Sequence, residues 1–322
     1  MGEPVVITRH EVRALLDMPS LIDAVERAFV AYSSGGGELP AVIHLDIPES
    51  GGEVHVKAGH LHGASYYAVK VASGFSGTEP PTADGLVLVF DATDGALAAL
   101  VQDHGLITDL RTGAAGGVAA RLLAPERVRR VAVLGTGAQA RYQLDALACV
   151  RAFEHVRVWG RSHAKAVELV EDLLGRPGLP GTATYAVAET VESALDDADV
   201  VITCTASREP LVAPEWLKAG AHVTALGSDG VGKRELDPGV LRRADVLACD
   251  SREQCGRLGE LQHAPEEAGR AVELGAIAAG AAGGRTSEAQ LTVCDLTGVG
   301  VQDVAAAALV MVRVSDATSL ER

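Results

Sequence analysis

Between residues 125 and 299 the chain repeats one pattern: a short, continuously apolar run, then a longer stretch whose apolar positions recur every three or four residues. The apolar runs fall at 128–134, 156–159, 184–187, 200–205, 222–226 and 246–249, with helical stretches between most of them. Strands that are apolar on both faces belong to a parallel sheet covered on both sides by helices. Right-handed crossovers then bring every strand's carboxyl end to one edge, where ligands bind in such sheets.

The first 124 residues are patterned differently. Thr8 caps a short predicted helix through Leu16. After Pro19-Ser20 a second helix places Leu21, Val25, Ala28, Phe29 and Tyr32 on one face, until Ser33-Ser34-Gly35-Gly36-Gly37 stops it. Five β-like runs follow at 42–47, 54–57, 66–72, 86–90 and 97–101, punctuated by Glu49-Ser50-Gly51-Gly52, Pro80-Pro81 and Asp94-Gly95. They predict a mostly antiparallel sheet. A helix of small residues begins at Thr108, has Arg111 in its first turn, and closes at Ala124-Pro125. Residues 271–282 predict an alanine-rich helix, 291–294 a final strand, and 301–314 a long helix that packs back on the first domain. The expected domains are therefore 1–124 with 300–322, and 125–299.

The first strand of the second domain runs into Gly135-Thr136-Gly137-Ala138-Gln139-Ala140 and then a helical pattern. This is the strand-turn-helix opening of a dinucleotide-binding unit. Gly135 permits the tight turn and Gly137 lets the backbone approach a pyrophosphate, while the helix start offers unpaired N–H groups. The fold class is thus α/β: a Rossmann-type doubly wound parallel sheet plus an α+β domain formed by the N-terminal third and the C-terminal helix. The second strand ends in Gly160-Arg161-Ser162 where an NAD site usually has an acid for the ribose 2′-hydroxyl. Arg161 can pair with a 2′-phosphate and Ser162 can donate to it, so NADP(H) is preferred and NAD(H) remains possible.

Composition narrows the class. A net charge of −15 without a basic cluster argues against nucleic acid. Five cysteines are scattered without C-x-x-C pairing, as in packing thiols of a reducing compartment, and His55, His60 and His62 do not make a zinc spacing. No run approaches the ~18 apolar residues of a membrane helix, and the N-terminus lacks an apolar leader core. A cytoplasmic protein without membrane or metal is expected.

Candidate chemistry lies at a few polar positions. Period-two alternation puts Lys70 between Ala68 and Ala72 on one strand face, which fits a pocket wall or a solvated face equally. Arg111 near a helix start opposes the helix dipole, a conflict that a bound carboxylate or phosphate would resolve. Thr205 and Gly227-Ser228-Asp229-Gly230 fall on the ligand-binding edge. Asp229 is either a carboxylate near a nicotinamide or part of a turn dipeptide, and Lys233 either meets a cofactor phosphate or is exposed.

Together these pieces resemble the ornithine cyclodeaminase/μ-crystallin family. The matching motifs are the Lys70 strand followed by Pro81-Thr82 and Leu86-Val87-Leu88-Val89-Phe90-Asp91; Thr108-Asp109-Leu110-Arg111-Thr112; the Gly135–Ala140 turn; Gly227-Ser228-Asp229 with Lys233, Glu235 and Leu236; and Asp295-Leu296-Thr297-Gly298 with Gln302-Asp303. The run 52–57 and the ending 297–303 look most like the cyclodeaminase-like branch found in ectoine-utilisation clusters. The resemblance implies a homodimer whose N-terminal domain carries substrate and dimer contacts. It implies Lys70 and Arg111 as substrate-carboxylate binders, Thr297 beside them, and Asp229 as the catalytic carboxylate. It implies Thr82, Arg111, Ala138, Gln139, Thr205, Ser228 and Lys233 as cofactor contacts. The chain departs from the family where an arginine commonly follows the proline near position 40; Pro40-Ala41-Val42-Ile43-His44 has none, and His44 stands in a related place. The implied activity is NAD(P)H-dependent reduction of a small imine, or the reverse amino-acid dehydrogenation, with Lys70 and Arg111 raising the electrophilicity of the C=N carbon and Lys70 counted with Asp229 as catalytic. An ammonia-eliminating cyclodeaminase is the alternative, and a non-catalytic binding protein the third reading.

Overall fold

The computed structural model describes residues 3–75, 77–78 and 82–320; the Pro80-Pro81 turn lies outside them. The chain divides into two compact units, Met1–Arg111 with Val299–Arg322, and Thr112–Gly298.

Unit one opens with β1 (Val5–Thr8), α1 (Arg9–Leu15) and α2 (Met18–Ser33). Thr8 and Glu11 form a reciprocal capping box at the start of α1, and Asp17 caps α2. Leu21, Val25, Ala28 and Phe29 of α2 are buried, as the helical spacing predicts, with Ile22 buried beside them and Tyr32 only half-buried. The sheet continues with β2 (Gly37–Glu38), β3 (Ile43–Ile47), β4 (Gly52–Leu61), β5 (Tyr66–Phe75), β6 (Thr82–Asp91) and β7 (Leu97–Gln102). Its order is β1-β7-β6-β5-β4-β2, with β3 also on β4. The predicted runs all appear and pair antiparallel; the additions are β1, parallel to β7, and the two-residue β2. Both are too short to carry a readable alternation.

α3 (Leu106–Leu123) begins two residues earlier than Thr108. The buried Asp103 carboxylate accepts the Ile107 N–H at 2.5 Å and starts the helix there, which corrects the placement of Arg111 to the second turn. The division between units falls inside α3, earlier than Ala124. Its last twelve residues belong with unit two because Gly113 and Gly116 lie against Tyr142 and Gln143, where any side chain would collide. Those contacts are what the small residues are for.

Unit two alternates β8 (Arg130–Leu134), α4 (Ala138–Val150), β9 (His155–Trp159), α5 (His163–Leu174), β10 (Thr184–Val187), α6 (Val191–Leu195), β11 (Val200–Thr203), β12 (His222–Ala225), α7 (Pro238–Arg243), β13 (Val246–Cys249), α8 (Arg252–Leu258), β14 (Val272–Glu273), α9 (Leu274–Ala278) and β15 (Thr292–Asp295). All pairings are parallel, in the order β10-β9-β8-β11-β12-β15-β13-β14. The chain leaves β8 for β9 on one side and returns to β11 on the other, so the order reverses beside β8 and opens a crevice at its carboxyl end. The expected helix over 271–282 shrinks to α9: residues 272–273 add a strand to the sheet edge, and Gly280, with φ +69°, turns the chain away.

α10 (Gly300–Leu320) returns to unit one against α2, β4 and β5. It approaches β4 so closely that a Cβ on Gly300 would lie 2.2 Å from the Ala58 carbonyl oxygen, and one on Gly59 2.9 Å from the Gly300 carbonyl carbon. Glycine at both positions sets the height of the helix's first turn over the sheet.

Candidate active site

The crevice of unit two is a cavity of about 320 Å³ between the Gly135–Gly137 turn, the Trp159–Ser162 segment with Lys165, and Cys204–Ser207. Gly135 has φ +129°, and a Cβ there would sit 2.7 Å from the Cys204 carbonyl oxygen and sulfur. Gly137 is the N-cap of α4, has no side-chain cap, and faces open space. The first N–H groups of a 13-residue helix therefore look onto a concavity that a dinucleotide phosphate fits. Ala138 and Gln139 open this helix, and the Gln139 side chain accepts from Gln143 at 3.4 Å. Arg161 is exposed and lines the same cavity; Ser162 lines it too and caps α5. At Gly160 a Cβ would strike the Thr136 methyl at 2.5 Å, so the position opposes any side chain, an acidic one included.

The rim is organised by Glu235, which is fully buried. Its carboxylate accepts from the Thr203 hydroxyl at 2.7 Å, the Thr205 N–H at 2.6 Å, the Thr205 hydroxyl at 2.7 Å and the Gly227 N–H at 2.8 Å. One side chain thus ties together the loops that follow β11 and β12. Burial raises its carboxyl above the ordinary range despite those four donors. Glu260, also buried, in turn accepts the Glu235 and Leu236 N–H groups.

On that rim Asp229 is half exposed and pairs with Lys233 Nζ at 2.9 Å. The Ser228 hydroxyl is directed into its own loop, donating to the Lys233 and Leu258 carbonyls. Thr297 is buried: its N–H and hydroxyl go to Asp250, and the Gln254 amide donates to its oxygen.

Unit one holds a second constellation. β4 and β5 place Lys57 directly opposite Lys70, on the inward face, and both are buried. Asp303, in the first turn of α10, puts one carboxylate oxygen 3.1 Å from Lys70 Nζ and 2.9 Å from Arg111 Nε. Its neighbour Gln302 accepts from Arg111 Nη1 at 2.5 Å. Burial, then Arg111 and Lys57, push the Lys70 ammonium down to about 7 against the pull of Asp303. Burial pushes the Asp303 carboxyl up, but Arg111, Lys70 and Lys57 outweigh it and hold it below the usual range. His44 lies on an exposed edge strand, 2.9 Å from Asp46 and edge-on to His55. Thr82 opens β6 at the surface, its hydroxyl 3.3 Å from that of Thr78.

A model of the Ornithine cyclodeaminase/mu-crystallin family matches residues 2–318. The chain belongs to that family. An uncharacterised cyclodeaminase of Sinorhizobium fredii is 39% identical over 97% of this chain and 96% of its own. Among solved structures, an archaeal alanine dehydrogenase dimer with bound NAD superposes with a TM-score of 0.88 at 31% identity. Delta(1)-pyrroline-2-carboxylate reductase of Thermococcus litoralis, in complex with NADH and L-proline, superposes with a TM-score of 0.90 at 27% identity. Each of these two comparisons covers 98% of both chains. Homologues in this family thus include imine reductases and cyclodeaminases.

Lys70 and Arg111 stand out in the sequence by their positions, whereas the side chains that hold them show no role there. Asp303 and Gln302 carried a signal, two polar residues at the head of an otherwise apolar helix. Asp250 carries none, and Glu235 only its place in the family motif, because an acid in a loop looks solvated until its donors converge on it.

Proposed function

We propose that this family member is an NAD(P)H-dependent imine reductase, or amino-acid dehydrogenase in the reverse direction, acting on a small imine that bears a carboxylate. The observation that supports this reading is the convergence of Lys70 and Arg111 on one oxygen of the Asp303 carboxylate within 3.1 Å, an arrangement suited to a carboxylate ligand. A reduced nicotinamide, when bound, supplies the hydride. The Gly135–Gly137 turn and the start of α4, with Ala138 and Gln139, would receive the pyrophosphate, while Thr205 and Ser228 lie in the loops that Glu235 ties to the rim. Arg161, Ser162 and Lys165 favour a 2′-phosphate over a bare ribose, which makes NADP(H) the preferred form. Thr82, Lys233, His44 and Thr297 are carried as further cofactor or substrate contacts by family resemblance. Lys70 and Arg111 hold the substrate anion and draw electron density from the C=N carbon. Asp229, half exposed and paired to Lys233, exchanges the nitrogen's proton directly or through water.

Asp229→Asn should lower turnover about 100-fold with NADPH affinity near that of the wild type, measured by steady-state rates and equilibrium titration. Full activity in that variant would remove Asp229 from the chemistry. The 39% identity to a relative named as an uncharacterised cyclodeaminase favours one second reading, ammonia elimination without net redox. Ammonia release from ornithine at constant reduced-cofactor absorbance would establish it instead.

The outward face of the unit-one sheet supports a homodimer. Ile43 and Leu45 are 63% and 57% exposed there, in register with Val56 and Val54 and then Val71 across β4 and β5. An apolar sheet face of this kind marks an association surface. Leu45→Glu should halve the mass seen by light scattering; an unchanged dimer would place the interface elsewhere. All five cysteines are free, which supports a reducing, cytoplasmic setting; among the described residues no helix is long and apolar enough to cross a membrane.

A further inference from the structure

The first turn of α10 carries two buried polar atoms without partners, side by side in sequence. Asp303 uses one carboxylate oxygen for both Lys70 and Arg111, and its Oδ2 has no hydrogen-bond partner. Gln302 uses its Oε1 for Arg111, and its Nε2 has none. The two residues are at most 2% exposed. Reversing the Gln302 amide is not a remedy, since it would set an NH₂ group against the guanidinium. An unmet acceptor and an unmet donor thus sit next to the two cations read above as the carboxylate grip, beside Arg111 Nε, which lies 2.9 Å from Asp303 as an ion pair but also lacks a hydrogen bond. Buried polar groups are seldom left bare, so the pair is matched to something that brings one donor and one acceptor.

We propose that Asp303 and Gln302 are specificity-determining residues that read the substrate as an α-imino or α-amino acid, Asp303 Oδ2 accepting an N–H of the substrate nitrogen and Gln302 Nε2 donating to its carboxylate. The inference rests on the reading of Lys70 and Arg111 as the carboxylate grip. It adds that the nitrogen is recognised from unit one, by the same turn that positions those cations. With Lys70, Arg111 and Lys57 lowering its proton affinity, Asp303 accepts a hydrogen bond without taking the proton; proton exchange stays with Asp229. Recognition of this kind discriminates strongly, because a ligand lacking the N–H leaves the buried carboxylate oxygen bare and places its own lone pair against it. An α-keto acid, equal in size and with the same carboxylate, is the excluded ligand.

The test compares binding of matched pairs to the full-length protein saturated with oxidised cofactor: L-alanine and pyruvate, L-aspartate and oxaloacetate, L-norvaline and 2-oxopentanoate. The wild type should bind the amino acid of at least one pair about 10-fold or more tighter than its keto partner. Asp303→Asn should reduce that preference to within about 3-fold, since an amide presents N–H to N–H, and Gln302→Leu should weaken both members alike. Arg111→Met serves as the control on the underlying reading and should abolish binding of both. If Arg111→Met does so while Asp303→Asn weakens both members equally, Asp303 is a counter-ion only: the proposal fails and the carboxylate grip stands. If Arg111→Met leaves binding unchanged, the grip itself fails and the proposal with it. Absence of binding by all three pairs, or a liganded crystal structure in which water alone meets Asp303 Oδ2 and Gln302 Nε2, also overturns the proposal.

Discussion

Replacing Glu235 by Ala should cost about 3–5 kcal/mol of folding stability and abolish nucleotide binding. The carboxylate, itself fully buried, receives four donors from Thr203, Thr205 and Gly227, of which Thr203 is buried and the other two half-buried. Removing it leaves two backbone N–H groups and two hydroxyls to find partners, each at roughly 1–3 kcal/mol if they cannot; relaxation and entering water lower that total. Glu235→Gln keeps the shape and one acceptor oxygen but turns an amide N–H₂ toward donors, and should lose about 1–2 kcal/mol. Urea unfolding of the three proteins measures the series. An alanine variant within 1 kcal/mol of the wild type would show that the loops after β11 and β12 hold themselves.

Arg111→Met should raise KM for the carboxylate-bearing substrate about 100-fold or more, because one partner of a buried, hydrogen-bonded charge pair is worth roughly 2–5 kcal/mol to its anion. The effect on kcat should be smaller, as the carboxylate is held in ground and transition states alike. The same site predicts a pH dependence. With the Lys70 ammonium at about 7, the cation is lost as pH rises through neutrality, so affinity for the anion falls on the alkaline side. The bound anion raises the proton affinity of Lys70, and binding near pH 7.5 therefore takes up a proton. Calorimetry in buffers of different ionisation enthalpy detects that uptake. The sign for folding is separate: the unfolded chain keeps the Lys70 proton up to the ordinary lysine value, so between about 7 and 10.5 this group makes the free protein more stable as pH rises. Proton release on anion binding, or affinity that climbs with pH, would contradict the role given to Lys70.

Much of this was readable in the sequence because it rests on local pattern. The five runs of unit one and the six of unit two are periodic or continuously apolar, and each became a strand. Gly135 is legible because a turn at positive φ against Cys204 tolerates little else, and Gly137 because it completes the G-x-G spacing at an open helix N-terminus. What escaped depends on contacts remote in sequence. α3 starts at Leu106 because Asp103 caps it from buried surroundings, and no spacing rule distinguishes that acid from a surface one. The 271–282 stretch has helical composition, yet sheet pairing at Val272-Glu273 and the turn at Gly280 cut it to five residues. Lys70 was equally a pocket residue or a surface one until Lys57, Arg111 and Asp303 closed around it from β4, α3 and α10. Residues 233 positions apart in sequence meet there, beyond the reach of periodicity.

The dinucleotide cleft of unit two is tested most directly by tryptophan emission. Trp159 lines the cavity beside the Gly135–Gly137 turn, and the chain has one other tryptophan, Trp216. Titration with NADPH should quench the emission saturably, at lower concentration than NADH does, and Trp159→Phe should remove most of the signal. Arg161→Asp should reverse the order of the two nucleotides. A wild-type protein whose emission shows no saturable change with either nucleotide, alongside direct calorimetric evidence of no binding, would contradict the cleft's assignment and the function built on it.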